Sequence, residues 1–375
     1  MKKLPFCDVT AANALHAWEI AEATSRVVVR GQFILGEEVE AFEQEAAAYL
    51  GVRHAVALGN GTDALIFALL AGGVGPGDEV LVPAFTIFVD AEAVLWCGAT
   101  PVPVDVDARG ALARDALESA LTTRTRAVIA PSLFGGPVPL DEARAVCSRH
   151  GLLLVEDACQ AFGAREGSDA VGARGDVGCY SFYPTKVLGG AGDGGLIVTN
   201  DAKIAADARL RRSHGAPRED KYRHVVLGKN SRLDELQAAI LRVKLRHLDE
   251  AIARRRAAAS HYDRRLTTHA EWIERPADAP DGLHTYYAYA IRARKRDALQ
   301  SWLEARGIEA PVHFPWLVSE QPALTERVGP AAREFPQSAH LAAKVLSLPC
   351  HSTLNGSDVD RICDAIDAFA QAYRP

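Results

Sequence analysis

The first 200 residues alternate short apolar runs with segments of helical periodicity, and few folds accept that rhythm. "HAVAL" (54–58), "DEVLVPA" (78–84), "TPVPVDVD" (100–107), "RAVIAPSLFG" (126–135) and "LLLVEDACQ" (152–160) read as strands. "EEVEAFEQEAAAYLG" (37–51), "GNGTDALIFALLAGG" (59–73), "DAEAVLWCG" (90–98) and "LDEARAVCSRHG" (140–151) read as helices or as turns opening helices. Apolar strands alternating with helices pack as a largely parallel sheet covered on both faces. The rhythm stops after Asn200. Residues 231–266 carry helical periodicity without Gly or Pro and are expected to form a helix long enough to link two lobes. Beyond it, 285–293 alternates like a half-exposed strand, and 295–308 and 357–373 read as helices. The expected architecture is α/β, with a large domain over 1–245 and a small α+β C-terminal domain over 246–375.

Composition narrows the function classes. The chain has 375 residues, 48% of them hydrophobic, enough for a large core. Its net charge of -6 weighs against nucleic acid as a partner, because phosphate backbones need a basic surface. Seven cysteines are scattered singly with no metal-ligand spacing, which points to reduced thiols, a cytoplasmic protein and no metal site. Asp8 interrupts the basic start "MKKLPFCDVT", so no signal peptide is expected. No uncharged run approaches the roughly 20 residues that span a bilayer.

Three motifs offer chemistry. "GNGTDAL" places a glycine turn between strand and helix, where free backbone N–H groups and the helix dipole favour a phosphate. Gly61 would allow close approach and Thr62 would add a hydroxyl; a plain strand-to-helix turn would look the same. Asp157 closes an apolar strand, the edge at which open α/β sheets build sites, with Gln160 three residues on. Capping of a following helix is the alternative role. Lys186 stands in "SFYPTKVLGGAGDGG" (181–195). "GAGDGG" matches a dinucleotide fingerprint formally, but it follows a lysine and precedes a strand, the wrong order for that motif. Together, a phosphate cradle, a strand-end aspartate and a lysine among small residues are what pyridoxal 5'-phosphate requires: an anchor, a partner for the pyridine nitrogen, and a Schiff-base amine that then shuttles the proton.

The chain resembles the DegT/DnrJ/EryC1/StrS family of sugar aminotransferases, which have the fold type I architecture of pyridoxal-phosphate-dependent transferases. The resemblance runs from 31–52 to 348–362 through "GNGTDAL", "VPAFT", "VEDACQAFGA", "SFYPTKVLGGAGDGG", "GKNSRLDELQAAIL" and "HFP…QPA". It implies Lys186 as the Schiff-base lysine, Asp157 on the pyridine nitrogen and Gln160 on the ring's 3-oxygen. It implies Gly61, Thr62 and Ser181 on the phosphate. Asn230, or its neighbour Arg232, would reach the phosphate from a second subunit, implying a homodimer with shared active sites. His313 falls in a segment similar to the family's substrate loop.

The chain also departs from the family pattern. An aromatic residue usually follows the threonine of "PAFT"; here Ile87 stands there and Phe88 follows, so either could cover the cofactor ring. Phe162 stands where many relatives have histidine. Lysine at 186, rather than histidine, points to transamination and away from a dehydratase or lyase. The expected reaction moves an amino group from an amino acid, usually glutamate, to a nucleotide-linked keto-sugar by a ping-pong sequence. "GDGG" after the lysine, with Asp193, favours a 3-keto hexose; a 4-keto sugar is the alternative.

Overall fold

The computed structural model describes residues 3–276, 282–331 and 333–373. Its main sheet contains seven strands: β1 (His54–Leu58), β2 (Glu79–Pro83), β3 (Thr100–Val104), β4 (Thr125–Pro131), β5 (Leu153–Asp157), β8 (Val177–Ser181) and β9 (Gly195–Thr199), with β6 (Arg165–Glu166) and β7 (Asp169–Ala170) forming a ribbon beside it. The order is β1-β9-β8-β5-β4-β2-β3. β2 through β5 and β8 pair in parallel, while β9 runs antiparallel between β8 and β1. β2 and β9 are buried along their whole length, as strands covered on both faces must be. Helix Gly61–Ala71 packs on one face in a core with Val56, Val80 and Ile129; helix Glu37–Leu50 contributes Val39, Phe42 and Ala46 to a core on the other.

A second sheet joins β10 (Ile273–Glu274), β12 (Tyr289–Ala293) and β13 (Val345–Leu348), and β11 (Gly282–Leu283) pairs back onto β6. Helices Leu248–Leu266, Arg296–Glu304 and Gly356–Ala372 cover that sheet around Tyr262, Tyr289 and Ile366. Leu4 belongs to this second core, through a bridge to Ile308, so the start of the chain packs with its last third.

Two elements differ from expectation. The single helix over 231–266 is two helices, Glu235–Arg246 and Leu248–Leu266, separated at His247 (φ -105°, ψ 8°). Periodicity continues through the break because both helices bury one face: the first against helices Ala17–Arg30 and Glu37–Leu50, the second mainly against the second sheet's core. The strand expected over 285–293 is regular only from Tyr289, because Tyr286 adopts a left-handed conformation (φ 49°). No described helix is long and apolar enough to cross a membrane.

Adjacent carboxylates on β5 part company. Glu156 is fully buried on one face. It accepts backbone hydrogen bonds from Gly172 (3.0 Å), Arg174 (2.6 Å) and Gly175 (2.6 Å), and the Arg174 guanidinium lies at 3.1 Å. Glu156→Ala would strand three N–H groups and leave the buried Arg174 guanidinium with only the more exposed Glu166 as its carboxylate. We expect it to cost about 3–5 kcal/mol of stability, read as a lower midpoint in denaturant. Wild-type stability in that variant would contradict the structural role. Asp157 faces the opposite way, into the site.

Candidate functional site

The site forms where β5 and β8 end beside the start of helix Gly61–Ala71. Asn60 caps that helix, accepting from the Asp63 N–H at 2.7 Å. Its first N–H groups are therefore left for a ligand. Gly61 is needed for proximity: a Cβ there would lie 2.8 Å from the Ser181 Cβ and 3.2 Å from the Cys159 Sγ. Thr62 follows on the same turn, half-buried. Ser181 ends β8 next to this turn. The start of this helix and the Ser181 end of β8 thus lie side by side, with Thr62 on the same turn.

Asp157 is buried at the end of β5, and one of its oxygens accepts from the Cys159 N–H at 2.9 Å. Cys159 is the hub that motif reading passes over. It touches the Gly61 turn, hydrogen-bonds to Asp157 and feels the charge of Lys186; burial first, then Asp157, pushes its thiol far up, so it sits there as a neutral spacer. Its signal in the sequence is only its place inside "EDAC".

Lys186 is held by its own backbone, its N–H donating to the Tyr183 carbonyl at 2.8 Å. Its ammonium lies 4.8 Å from the Tyr287 ring centroid. Tyr287 in turn neighbours His313, with centroids 6.2 Å apart. Burial, and then the Lys186 charge, lower the His313 imidazole to about 4, so it is neutral at physiological pH. Its Nδ1 pairs with the Ser347 hydroxyl at 2.9 Å. Tyr287 lies over a hundred residues from Lys186, and nothing local in the sequence marks it. Gln160 is buried, and its Oε1 accepts from the Phe134 N–H at 2.7 Å, leaving its amide nitrogen as a donor. The Phe134–Gly135 turn is clamped by Thr285, whose N–H reaches the Gly135 carbonyl at 2.8 Å. The second sheet's lead-in therefore orients both Gln160 and Tyr287.

The remaining expected residues fall around this centre. Phe88 packs against the first core beside Leu70 and Leu95, whereas Ile87 joins none of the apolar clusters among the described residues. Phe162 sits in the core on the other face of the sheet, against Tyr180 and Phe182. Asn230 and Lys229 are both exposed, Lys229 reaching the buried Asp63 with its ammonium, while Ser231 is buried and its hydroxyl accepts from the Gly59 N–H at 3.1 Å. Asp193 is exposed.

The glycines after Lys186 serve the chain's own packing more than ligand clearance. A Cβ on Gly189 would lie 2.4 Å from the Pro184 carbonyl oxygen, and one on Gly195 would lie 2.2 Å from that of Asn60. The cleft that Lys186 does line lies between Cys7, Asp8, Lys244, Arg255 and His351. Neither Thr62 nor Asp157 borders it. Lys244 in its wall donates to the Gly189 carbonyl at 2.7 Å, and burial lowers its amine to about 8.

These residues fit pyridoxal phosphate. A Cβ at Gly61 would crowd the anion turn, Asp157 has acceptor capacity beyond its bond to Cys159, and Lys186 makes no ion pair among the described residues.

Comparison with known proteins gives the same answer independently. The family model described as the DegT/DnrJ/EryC1/StrS aminotransferase family matches residues 16–367. The chain is 43% identical to the erythromycin biosynthesis sensory transduction protein EryC1 of Saccharopolyspora erythraea, over 98% of this chain and 100% of that one. It is 41% identical to the dTDP-3-amino-3,4,6-trideoxy-alpha-D-glucose transaminase of Streptomyces venezuelae, over 98% and 97%. Among solved structures, S. venezuelae DesV in complex with a ketimine intermediate superposes with a TM-score of 0.94 at 41% identity, covering 99% of each chain.

Proposed function

Because the chain belongs to the DegT/DnrJ/EryC1/StrS aminotransferase family, and is therefore a pyridoxal-phosphate-dependent aminotransferase, we propose that it transfers the amino group of L-glutamate to a nucleotide-linked 3-keto hexose. The observation that carries the reading is the position of Lys186, between the Cys159–Asp157 end of β5 and the Tyr287–His313 pair. An amine there reaches a cofactor anchored at Gly61 and a substrate entering past the second sheet. The 3-position rests on the Streptomyces venezuelae relative, whose name states a 3-amino product, and on the exposed Asp193 in "GDGG".

Bound pyridoxal phosphate supplies an electron sink that stabilises negative charge on the amino-bearing carbon. The protein supplies the rest. The N-terminal turn of helix Gly61–Ala71, Thr62 and Ser181 hold the phosphate. Asp157, kept dry by the sheet, holds a proton on the ring nitrogen. Lys186 carries a proton from the donor's α-carbon and returns one to the sugar carbon, acting as base and then as acid. Neutral His313 offers hydrogen bonding to a sugar hydroxyl through its Nε2 without adding charge. Gln160 donates to the ring's 3-oxygen, and Ile87, free of the core, covers the ring face. Asn230 is placed to reach a second subunit's phosphate, in a homodimer built from the large domain (1–245), with the small domain (246–375) closing each site.

The test is turnover of dTDP- and UDP-linked 3-keto and 4-keto hexoses with a panel of amino donors, the products assigned by NMR. We expect amination at C3 with glutamate as donor. Amination only at C4 would overturn the regiochemistry, and no amination of any nucleotide-linked sugar would overturn the substrate class.

A further inference from the structure

Behind Asp157 lies a second carboxyl that the reaction scheme leaves unused. Asp90 opens helix Val89–Trp96 and is completely buried. An aspartate in a helix's first turn normally faces solvent, where the dipole favours its charge. Here one oxygen, Oδ2, accepts from the Thr86 hydroxyl at 2.6 Å, and Thr86 is itself buried. The other, Oδ1, has no donor among the described residues. Its neighbour is the side chain of Asp157, close enough for a hydrogen bond between the two carboxyls.

Two facing carboxylates cannot both be charged in a dry core; one must carry a proton. The electrostatic surroundings decide which. The charged group bearing on Asp90 is Asp157; the Cys179 thiol nearby is pushed well up, by burial first and then by Asp157 and Asp90, and stays neutral. No cation among the described residues contributes. Burial, and then the Asp157 charge, push the Asp90 carboxyl well above its usual range. The helix N-terminus pulls the other way, but a field confined to one turn does not outweigh full burial beside a second carboxyl. Asp157, by contrast, takes a backbone donor from Cys159, a residue that also feels the Lys186 charge. A proton on Asp90 Oδ1 also removes the orphaned oxygen, because an O–H there donates to Asp157 while Oδ2 still accepts from Thr86.

We propose that Asp90 is a neutral carboxylic acid that positions Asp157, completing a relay from the Thr86 hydroxyl through Asp90 to Asp157 and on to the cofactor's ring nitrogen. The proposal rests on the assignment of Asp157 to that nitrogen. Asp90 touches neither cofactor nor substrate in this arrangement; it fixes the rotamer of Asp157 and leaves the site a single negative charge. A second full charge would face the ring nitrogen without a countercharge.

The role predicts an unusual tolerance. Asp90→Asn keeps a neutral donor and an acceptor in the same shape. Asp90→Leu keeps the volume and removes both. Each variant is purified free of cofactor and titrated with pyridoxal phosphate, and the visible absorbance of the bound cofactor is followed against pH. We expect Asp90→Asn to bind within about threefold of wild type with an unchanged pH profile. We expect Asp90→Leu to bind at least about tenfold more weakly, with a displaced profile. An Asn variant as impaired as the Leu variant would show that a charge is needed and overturn the proposal. So would a folded Leu variant with wild-type affinity and profile. If Leu prevents folding, the Asn variant decides alone, since a carboxylate role does not survive that substitution. Wild-type protein that fails to bind pyridoxal phosphate would overturn the site assignment itself, a different outcome from a wild type that binds and variants that do not differ.

Discussion

Lys186→Ala is expected to leave the protein folded, able to hold cofactor weakly, and at least about ten-thousandfold slower in turnover. On the proposed assignment two functions go with one amine: the covalent anchor of the resting cofactor and the base that moves the proton. Folding should be spared, because the Lys186 side chain makes no ion pair among the described residues and its contact is the Tyr287 ring. The turn it sits in is held by backbone bonds, Lys186 N–H to Tyr183 and Gly190 N–H to Phe182, which alanine keeps. The check is stopped-flow turnover together with the visible band of the lysine-bound cofactor. The band should vanish while thermal melting shifts little. A variant retaining the band would place the reactive amine elsewhere, with Lys244 the nearby candidate in the cleft wall.

Asp157→Asn should lower kcat by about a hundred- to a thousandfold, the size of effect found when one preorganised electrostatic partner is removed from a dry site. The amide matches the carboxylate in shape and loses its charge; with Asp157 assigned to the ring nitrogen as proposed, that nitrogen would no longer hold its proton and the electron sink would weaken. Asp157→Ala should do the same and also leave the Cys159 N–H without its acceptor, adding a stability loss that the Asn variant avoids. A ring nitrogen held by Asp157 therefore predicts equal kinetic damage in both and unequal melting temperatures. Near wild-type kcat in the Asn variant would remove Asp157 from the mechanism. The contrast with Glu156 is instructive: that residue is expected to fail in stability, and Asp157 in rate.

The main sheet is legible in the sequence because its strands are apolar on both faces, as only strands covered from both sides need to be. Five expected strands, 54–58 to 152–160, coincide with β1 to β5 within a few residues. The break in the helix expected over 231–266 is invisible to periodicity, which reports the buried face and says nothing about a change of partner. That change is what happens at His247. Helix Glu37–Leu50 shows a similar limit. Gly36 gives it no side-chain cap; the cap comes from Glu235, which accepts from the Gly36, Glu38 and Val39 N–H groups at 2.8–3.0 Å. No local pattern links residues about 200 positions apart.

The chain's own order of residues determined the fold class, the family and the candidate chemistry, because each lives in a short window: a glycine turn after a strand, an aspartate at a strand end, a lysine before small residues. The tertiary structure alone decided that Glu156, the carboxylate beside the aspartate the motif marks, braces the core through the Gly172, Arg174 and Gly175 N–H groups. It also decided that Cys159 spaces the anion turn from Asp157, that Tyr287 and His313 meet Lys186, and that Asp90 is buried behind Asp157. Those are distances between segments far apart in sequence, set by packing; motif spacing carries no information about them. The glycines after Lys186 show the division most clearly. Their presence is written in the chain, but their use, close passage beside Pro184 and Asn60, appears only when those carbonyls are in place.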